Sequence, residues 1–131
     1  FKSVPGIGTI RAAEIVAQVI DPARFKNKYK YYSYCGLARH PRSSGGKKQG
    51  SIKGYGNLVL KNVYKMAAHT VIQGDSALKK YYEEKIAEGM PEKNARNALS
   101  RKIASITLSL WKNNEKYNEK KFIKDTLKAS K

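Results

Sequence analysis

The sequence predicts an all-α fold. Three observations carry that reading. Strand patterns are nearly absent, the Pro and Gly punctuation that starts and stops helices recurs along the chain, and apolar residues return at helical spacing. After the turn Pro5-Gly6-Ile7-Gly8, Thr9 stands as an N-cap, and Ile10, Ala13, Ala17 and Ile20 then recur at helical intervals. Ile15, Val16 and Val19 make this first helix apolar nearly all round, which predicts burial. Asp21-Pro22 restarts the chain, a cap residue followed by proline at the first helical position. Residues 27–34 read as a helix stopped by Gly36.

The stretch 39–56 holds five glycines, one proline and no apolar period, so it reads as a long exposed loop or a small hairpin. Helix returns over 57–72, with Leu60, Val63, Tyr64, Ala67, Ala68 and Val71 on one face. Gly74-Asp75 breaks it, 76–88 forms the next helix, and Gly89 ends that one. Pro91 opens the longest helix, where Ala95, Leu99, Ile103, Ile106 and Leu110 mark a buried stripe running to Trp111. The Lys-rich residues from 112 onward read as a short, weakly docked helix that frays.

A chain of 131 residues that is 40% hydrophobic can build one compact core, with a loose tail, and is not wholly disordered. Its longest apolar runs are far too short to span a bilayer, and no charged-then-apolar signal segment stands at the start. Cys35 is the single cysteine, which excludes an internal disulfide framework and a thiolate-rich zinc site and points to a reducing compartment. Phe1 is not a natural start, so a longer parent protein is expected.

Charge is the strongest compositional signal. The formal net charge is +17, and no acidic residue stands between Asp21 and Asp75. That stretch holds eleven cations: Arg24, Lys26, Lys28, Lys30, Arg39, Arg42, Lys47, Lys48, Lys53, Lys61 and Lys65. A solvated helix face interleaves both signs, whereas this surface repels itself until a polyanion neutralises it. Nucleic acid fits best, since neutralising phosphates releases counterions. A membrane surface fits less well, because no cationic helix carries a clean apolar face. Beyond Asp75 the charges mix, and that half reads as ordinary solvated helix.

Two motifs carry chemistry. In Val4-Pro5-Gly6-Ile7-Gly8-Thr9, Gly6 and Gly8 let the backbone turn sharply and bring its amides against a phosphate. The helix opening at Thr9 aims its dipole and unpaired N–H groups at the same spot, Arg11 adds a cation, and Ile7 pins the turn to the core. These residues resemble a helix-hairpin-helix element, at about 1–20, whose first helix lies mostly upstream. The bland alternative is a plain helix–helix turn. In the second motif, Arg39-His40-Pro41-Arg42-Ser43-Ser44-Gly45-Gly46-Lys47-Lys48, two hydroxyls sit among cations beside glycine. A serine nucleophile for phosphoryl transfer needs those features. Composition alone favours a linker or a passive backbone contact.

Several further motifs fall in order: Asp21-Pro22-Ala23-Arg24-Phe25, Tyr34-Cys35-Gly36-Leu37, Ser43-Ser44-Gly45-Gly46-Lys47 and Ile52-Lys53-Gly54-Tyr55-Gly56-Asn57. The helix to Ala67-Ala68-His69 follows, then Tyr81-Tyr82, Gly89-Met90-Pro91, Ala98-Leu99-Ser100-Arg101-Lys102-Ile103 and Leu110-Trp111. Together with the hairpin, the ensemble resembles the C-terminal transposase domain of the DEDD-type, bridge-RNA-guided insertion-sequence transposases, which are similar to the pilin-gene invertases. The resemblance implies a transposase domain over 1–117, with the hairpin element, the basic serine loop at 39–56 and a small helical bundle. A Lys-rich tail or short helix follows over 118–131.

It also implies that Ser44, or its neighbour Ser43, attacks DNA to give a phosphoserine intermediate. Arg42, Lys47 and Lys48 would steady phosphates there, and Lys53 would meet one further along. Gly6, Gly8, Thr9, Arg11 and Arg39 complete the expected nucleic-acid contacts. The implied partners are DNA, a guide RNA and an N-terminal ribonuclease-H-like domain whose four carboxylates bind magnesium, in the same or another subunit of an oligomer. No metal or other cofactor is expected within this chain, which by itself should be inert in recombination. A bacterial cytoplasmic, nucleoid-associated setting follows. The alternative is a non-catalytic helix-hairpin-helix module that binds nucleic acid. A ribosome-associated basic protein would explain the charge but not the hairpin and serine loop together.

The remaining polar and aromatic residues read as structural. Cys35 packs as a small apolar group, His40 reads as solvated, with positioning of a phosphate as the alternative, and His69 is structural rather than a ligand. Of Tyr29, Tyr31, Tyr32 and Tyr34, helical spacing pairs Tyr31 with Tyr34 and Tyr29 with Tyr32, and at least one pair belongs to the core rather than to base stacking. Trp111 packs.

Overall fold

In the computed structural model, which describes residues 4–38, 56–113 and 118, every regular element is helical. In chain order they are α1 (Thr9–Val19), a 3-10 turn (Pro22–Arg24), α2 (Lys28–Tyr34), α3 (Leu58–Gln73), α4 (Ala77–Ala87) and α5 (Glu92–Asn113). The all-α expectation holds among these residues. Of the sequence-expected tail, only residue 118 is among them.

The caps explain why the helices start where they do. Asn27 accepts from the Lys30 N–H at 3.0 Å and Asn57 from the Leu60 N–H at 3.1 Å. Ser76 likewise faces the Lys79 N–H, and Asp21 accepts from Ala23 at 2.9 Å ahead of Pro22. Each such cap is worth about 1 kcal/mol. Two helices end in Schellman motifs. At α2 the Gly36 N–H reaches Ser33 O and the Leu37 N–H reaches Tyr32 O; at α4, Gly89 and Met90 repeat the pattern on Ile86 and Lys85. Both glycines have positive φ, +72° and +97°. Pro91 stands just before α5, its carbonyl accepting the Ala95 N–H at 2.9 Å.

The long helix α5 packs against α2, α3 and α4, while α1 rests on α3. The six α3 positions expected inside are all buried. On α5 the buried face is broader than the expected stripe: Ala98, Ala104, Thr107 and Leu108 join Ala95, Leu99 and Ile103, while Ile106 and Leu110 are only half-buried. Packing against three helices widens the face beyond one row. Ser100 and Thr107 are buried there because their hydroxyls bond the carbonyls of Arg96 (3.1 Å) and Ile103 (2.8 Å) one turn back.

Two expectations about α1 are corrected. Its N-cap is Gly8, in extended backbone with no side-chain cap bond, and Thr9 is the first helical residue. The helix is not buried all round. Only Ile15 and Val19 are inside, whereas Ile10 and Ile20 are 77% and 75% exposed, because α3 is the main helix it meets. The tyrosines divide differently as well. Tyr31 and Tyr32 are buried, Tyr34 is half-buried and Tyr29 is exposed with its ring edge-on to Tyr32 at 5.9 Å, so each pair contributes one core member. Tyr31 packs on Phe25 at 4.9 Å and on Tyr64 at 6.0 Å. Cys35 is fully buried as expected, and Trp111 is half-buried against the core. His69 is exposed on α3 and bonded to Gln73.

Candidate nucleic-acid interface

The hairpin follows from Pro5 and Gly6. The Ile7 N–H bonds the Val4 carbonyl at 2.9 Å, and Gly6 at φ +87° takes the third position of a turn whose second position is proline. Val4 and Ile7 are buried, so Ile7 is the pin the sequence suggested. The two glycines do different work. A Cβ on Gly6 would lie 2.6 Å from the Ala67 carbonyl oxygen, so Gly6 is required for close packing of the turn on α3. A Cβ on Gly8 would meet nothing within 4 Å. Gly8, Thr9 and Ile10 are exposed at the uncapped start of α1, where helical geometry leaves the first N–H groups without intrahelical partners. An anion can approach there.

Arg11 does not project freely beside that spot. Its guanidinium turns back to the Gly6 carbonyl at 2.8 Å and to Thr70 Oγ1 at 3.3 Å, tying the hairpin to α3. Other cations serve similar structural ends. Arg24 donates to Val19 O at 2.7 Å and lies 5.0 Å from the Tyr34 ring centre. Arg101 donates to Leu37 O at 3.2 Å, and Lys112 to Phe25 O. Part of the positive charge therefore fastens connecting segments.

Leu37 and Ala38 lead into the serine-bearing segment 39–55, and Gly56 and Asn57 follow it. These flanks form a neck. Gly56 (φ +89°) stacks against Gly36, where a Cβ would lie 2.5 Å from Gly36 Cα. The Asn57 N–H bonds Tyr34 O at 2.6 Å, and its side-chain amide donates to Gln18 Oε1 at 2.7 Å while its oxygen caps α3. One asparagine thus joins α1, α2 and α3 at the exit of the segment. Arg39, Arg42, Ser43, Ser44, Lys47, Lys48 and Lys53 lie outside the described residues, as does His40.

Sequence reasoning missed a cleft of about 230 Å³ between α3 and α5, lined by Lys65 and His69 from one side and Lys93, Arg96 and Asn97 from the other, with Ser100 beneath. The pairing could not be read because Lys93 and Arg96 fall in the half where acids and bases mix. The Lys65 ammonium is pushed below the usual lysine range, first by burial and then by the charges of Lys61, Lys93 and Arg96. Among the described residues no three His, Cys, Asp or Glu side chains converge to hold a metal, and no helix is long and apolar enough to cross a membrane.

Comparisons with known proteins agree with the resemblance at the family level. An insertion element IS116 protein of 44.8 kDa from Streptomyces clavuligerus is 32% identical over 114 residues, covering 85% of this chain and 27% of that protein. An insertion element IS110 protein of 43.6 kDa from Streptomyces coelicolor is 29% identical over 122 residues, covering 92% of this chain and 30% of its own length. The chain thus spans less than a third of these relatives. No solved structure matches. The family model described as Transposase IS116/IS110/IS902 family matches residues 1–83, from the hairpin into α4, and the chain therefore belongs to that family.

Proposed function

We propose that this chain is the portion of an insertion-element transposase that holds nucleic-acid backbone and supplies, from 39–55, the serine that attacks a DNA phosphodiester. The observation that carries this reading is the family match over 1–83, which takes in the hairpin, the neck and all of that segment. Ser44 is the nucleophile, with Ser43 beside it. An Oγ–P bond forms as one P–O bond to a sugar breaks; the serine proton passes to a base and the departing sugar oxygen takes one up. Arg42, Lys47 and Lys48 steady the charge on the reacting phosphate, while Arg39 and Lys53 hold neighbouring phosphates. The open backbone at Gly8 and the free N–H groups around Thr9 supply a further phosphate contact, with Arg11 holding the hairpin in shape.

A guide RNA selects the DNA target in this reading, and a ribonuclease-H-like domain of the same or another subunit completes the site. Magnesium, when bound there by four carboxylates, supplies Lewis acidity to the phosphate. The described residues of this chain offer no donor set for it. The neck supports the proposal, because a nucleophile carried on a long segment needs fixed ends to reach its target in line.

The test uses the full-length protein with guide RNA and target DNA. Ser44→Ala is expected to abolish the covalent protein–DNA adduct, seen as a slow band on denaturing gels, while binding stays nearly intact. Loss in Ser43→Ala alone moves the nucleophile by one residue. An adduct surviving both changes puts the covalent bond on another residue and leaves this chain a nucleic-acid-binding module whose two serines do not react.

A further inference from the structure

We infer that the cleft between α3 and α5 is a further phosphate-binding site, lined by residues outside both the hairpin and the serine motif, which grips the phosphodiester backbone of a nucleic acid. The inference rests on the reading that the chain binds nucleic acid and adds a place where it does so. Lys65 and His69 stand one turn apart on α3, and Lys93, Arg96 and Asn97 face them from the first turns of α5. Among the described residues, Lys65 and Lys93 have no carboxylate within ion-pairing distance. Glu92 is the acid at the rim, 3.8 Å from Arg96, and both side chains of that pair are at least half exposed.

This arrangement costs stability. Lys65 is crowded by three other cations, and Lys93 lies in the opening turn of α5, where the helix dipole disfavours positive charge. Apart from the exposed Arg96–Glu92 pair, these like charges facing each other across the cleft repel within the fold and are relieved by an anion. Donors of several kinds converge there: two ammonium groups, a guanidinium, an amide and an imidazole. No Phe, Tyr or Trp lines the cleft, so the large rings that stack on bases are missing there. At about 230 Å³ it is smaller than a pocket for a drug-sized ligand, usually ~300–1,000 Å³, and suits a phosphodiester rather than a whole cofactor. Positions 65, 68 and 69 lie roughly opposite positions 67 and 70, which meet the hairpin, so a bound backbone would contact two sides of α3.

The test measures the salt dependence of binding of the 131-residue chain to a DNA duplex and to an RNA duplex of the same sequence. Three proteins are compared: the parent chain, Lys65→Gln/Lys93→Gln, and the charge-matched control Lys80→Gln/Lys85→Gln on α4. Removing two phosphate contacts should reduce the slope of log affinity against log salt by about 2 and weaken binding at least tenfold at low salt, against a change of less than about 0.5 for the control. Whichever duplex shows the loss is the natural source of the phosphates. Lys65→Gln should also raise the melting temperature of the free protein at low salt, through relief of repulsion, and less so at high salt. Equal effects of groove and control variants on both duplexes would overturn the cleft assignment while leaving nucleic-acid binding in place. A parent chain that binds neither duplex would remove the binding reading itself and the cleft with it.

Discussion

Gly36 and Gly56 meet backbone to backbone at the neck of the serine segment, so closely that a Cβ on Gly56 would lie 2.5 Å from Gly36 Cα. Gly56 also has φ +89°. Gly56→Ala therefore adds both left-handed strain and a clash between main chains, which neither side can relieve by turning a side chain. The expected loss is about 2–4 kcal/mol in chemical unfolding. Gly89→Ala is the control, since Gly89 has φ +97° but nothing within 4 Å of the added carbon. It should lose only about 1–2 kcal/mol. Equal losses would mean that the neck is not closed.

The two hairpin glycines should separate packing from binding. Gly6→Ala puts its methyl into the Ala67 carbonyl at φ +87° and is expected to lower stability by about 2–4 kcal/mol. Gly8→Ala sits in extended backbone in open space, and as an N-cap change should cost under about 1 kcal/mol. Its effect should fall instead on nucleic-acid affinity, because the methyl narrows the approach to the first N–H groups of α1. Thermal melts and binding titrations on both variants check this. A Gly8→Ala protein that binds like the parent would remove the hairpin from the interface.

These glycines also mark the limit of what could be read from the sequence. Local signals were legible: helices starting at Asn27, Asn57 and Ser76, which prove to be their caps, Gly36 and Gly89 as stops, and the buried face of α3 from Leu60 to Val71. Each depends on residues within one or two turns. The exposure of Ile10 and Ile20 was not legible, because the burial of an apolar helix depends on how many neighbours it finds. Gly6 was read as a phosphate glycine when its first duty is the close approach to Ala67, a contact between distant parts of the chain. The cleft failed to show for the same reason, since Lys65 and Lys93 meet only through the packing of α3 on α5.

The Tyr31 and Tyr64 hydroxyls share a buried hydrogen bond of 2.6 Å, with the Cys35 thiol close by. Removing one partner costs the other hydroxyl its short bond and leaves it only the Cys35 thiol (for Tyr31) or Thr107 (for Tyr64), so Tyr64→Phe should cost about 1 kcal/mol, and the double change to Phe should cost less than the sum of the singles. Burial raises both phenols above their usual range and pushes the Cys35 thiol up to about 12. The unfolded chain releases these protons at lower pH than the folded one. The stabilisation is thus complete below the unfolded values of 9.0 for the thiol and 10.0 for the phenols, and is lost progressively as pH rises past them. Urea midpoints should be level in this respect up to pH 8 and fall from about pH 9. A thiol reagent at pH 8 should label Cys35 only after denaturant is added. Rapid labelling of the folded protein would show the cluster to be open.

Ile20 holds φ +69° and ψ −57° after α1, with the Asp21 N–H bonded to the Val19 carbonyl at 2.8 Å across it. A β-branched residue in that conformation is strained, and its side chain is 75% exposed, so burial offsets little of the cost. What keeps the turn in place is the surrounding bonding: Arg24 fastens the same Val19 carbonyl at 2.7 Å, and Asp21 caps the 3-10 turn that follows. Ile20→Gly should fit this backbone without distortion, whereas Ile20→Ala removes the exposed side chain but keeps a Cβ at positive φ. The glycine variant is therefore expected to be more stable than the alanine variant by about 1 kcal/mol, a reversal of the order found inside helices. Denaturant midpoints of the two proteins decide it, and an alanine variant as stable as the glycine one would mean that the turn relaxes to negative φ once the branched side chain is gone.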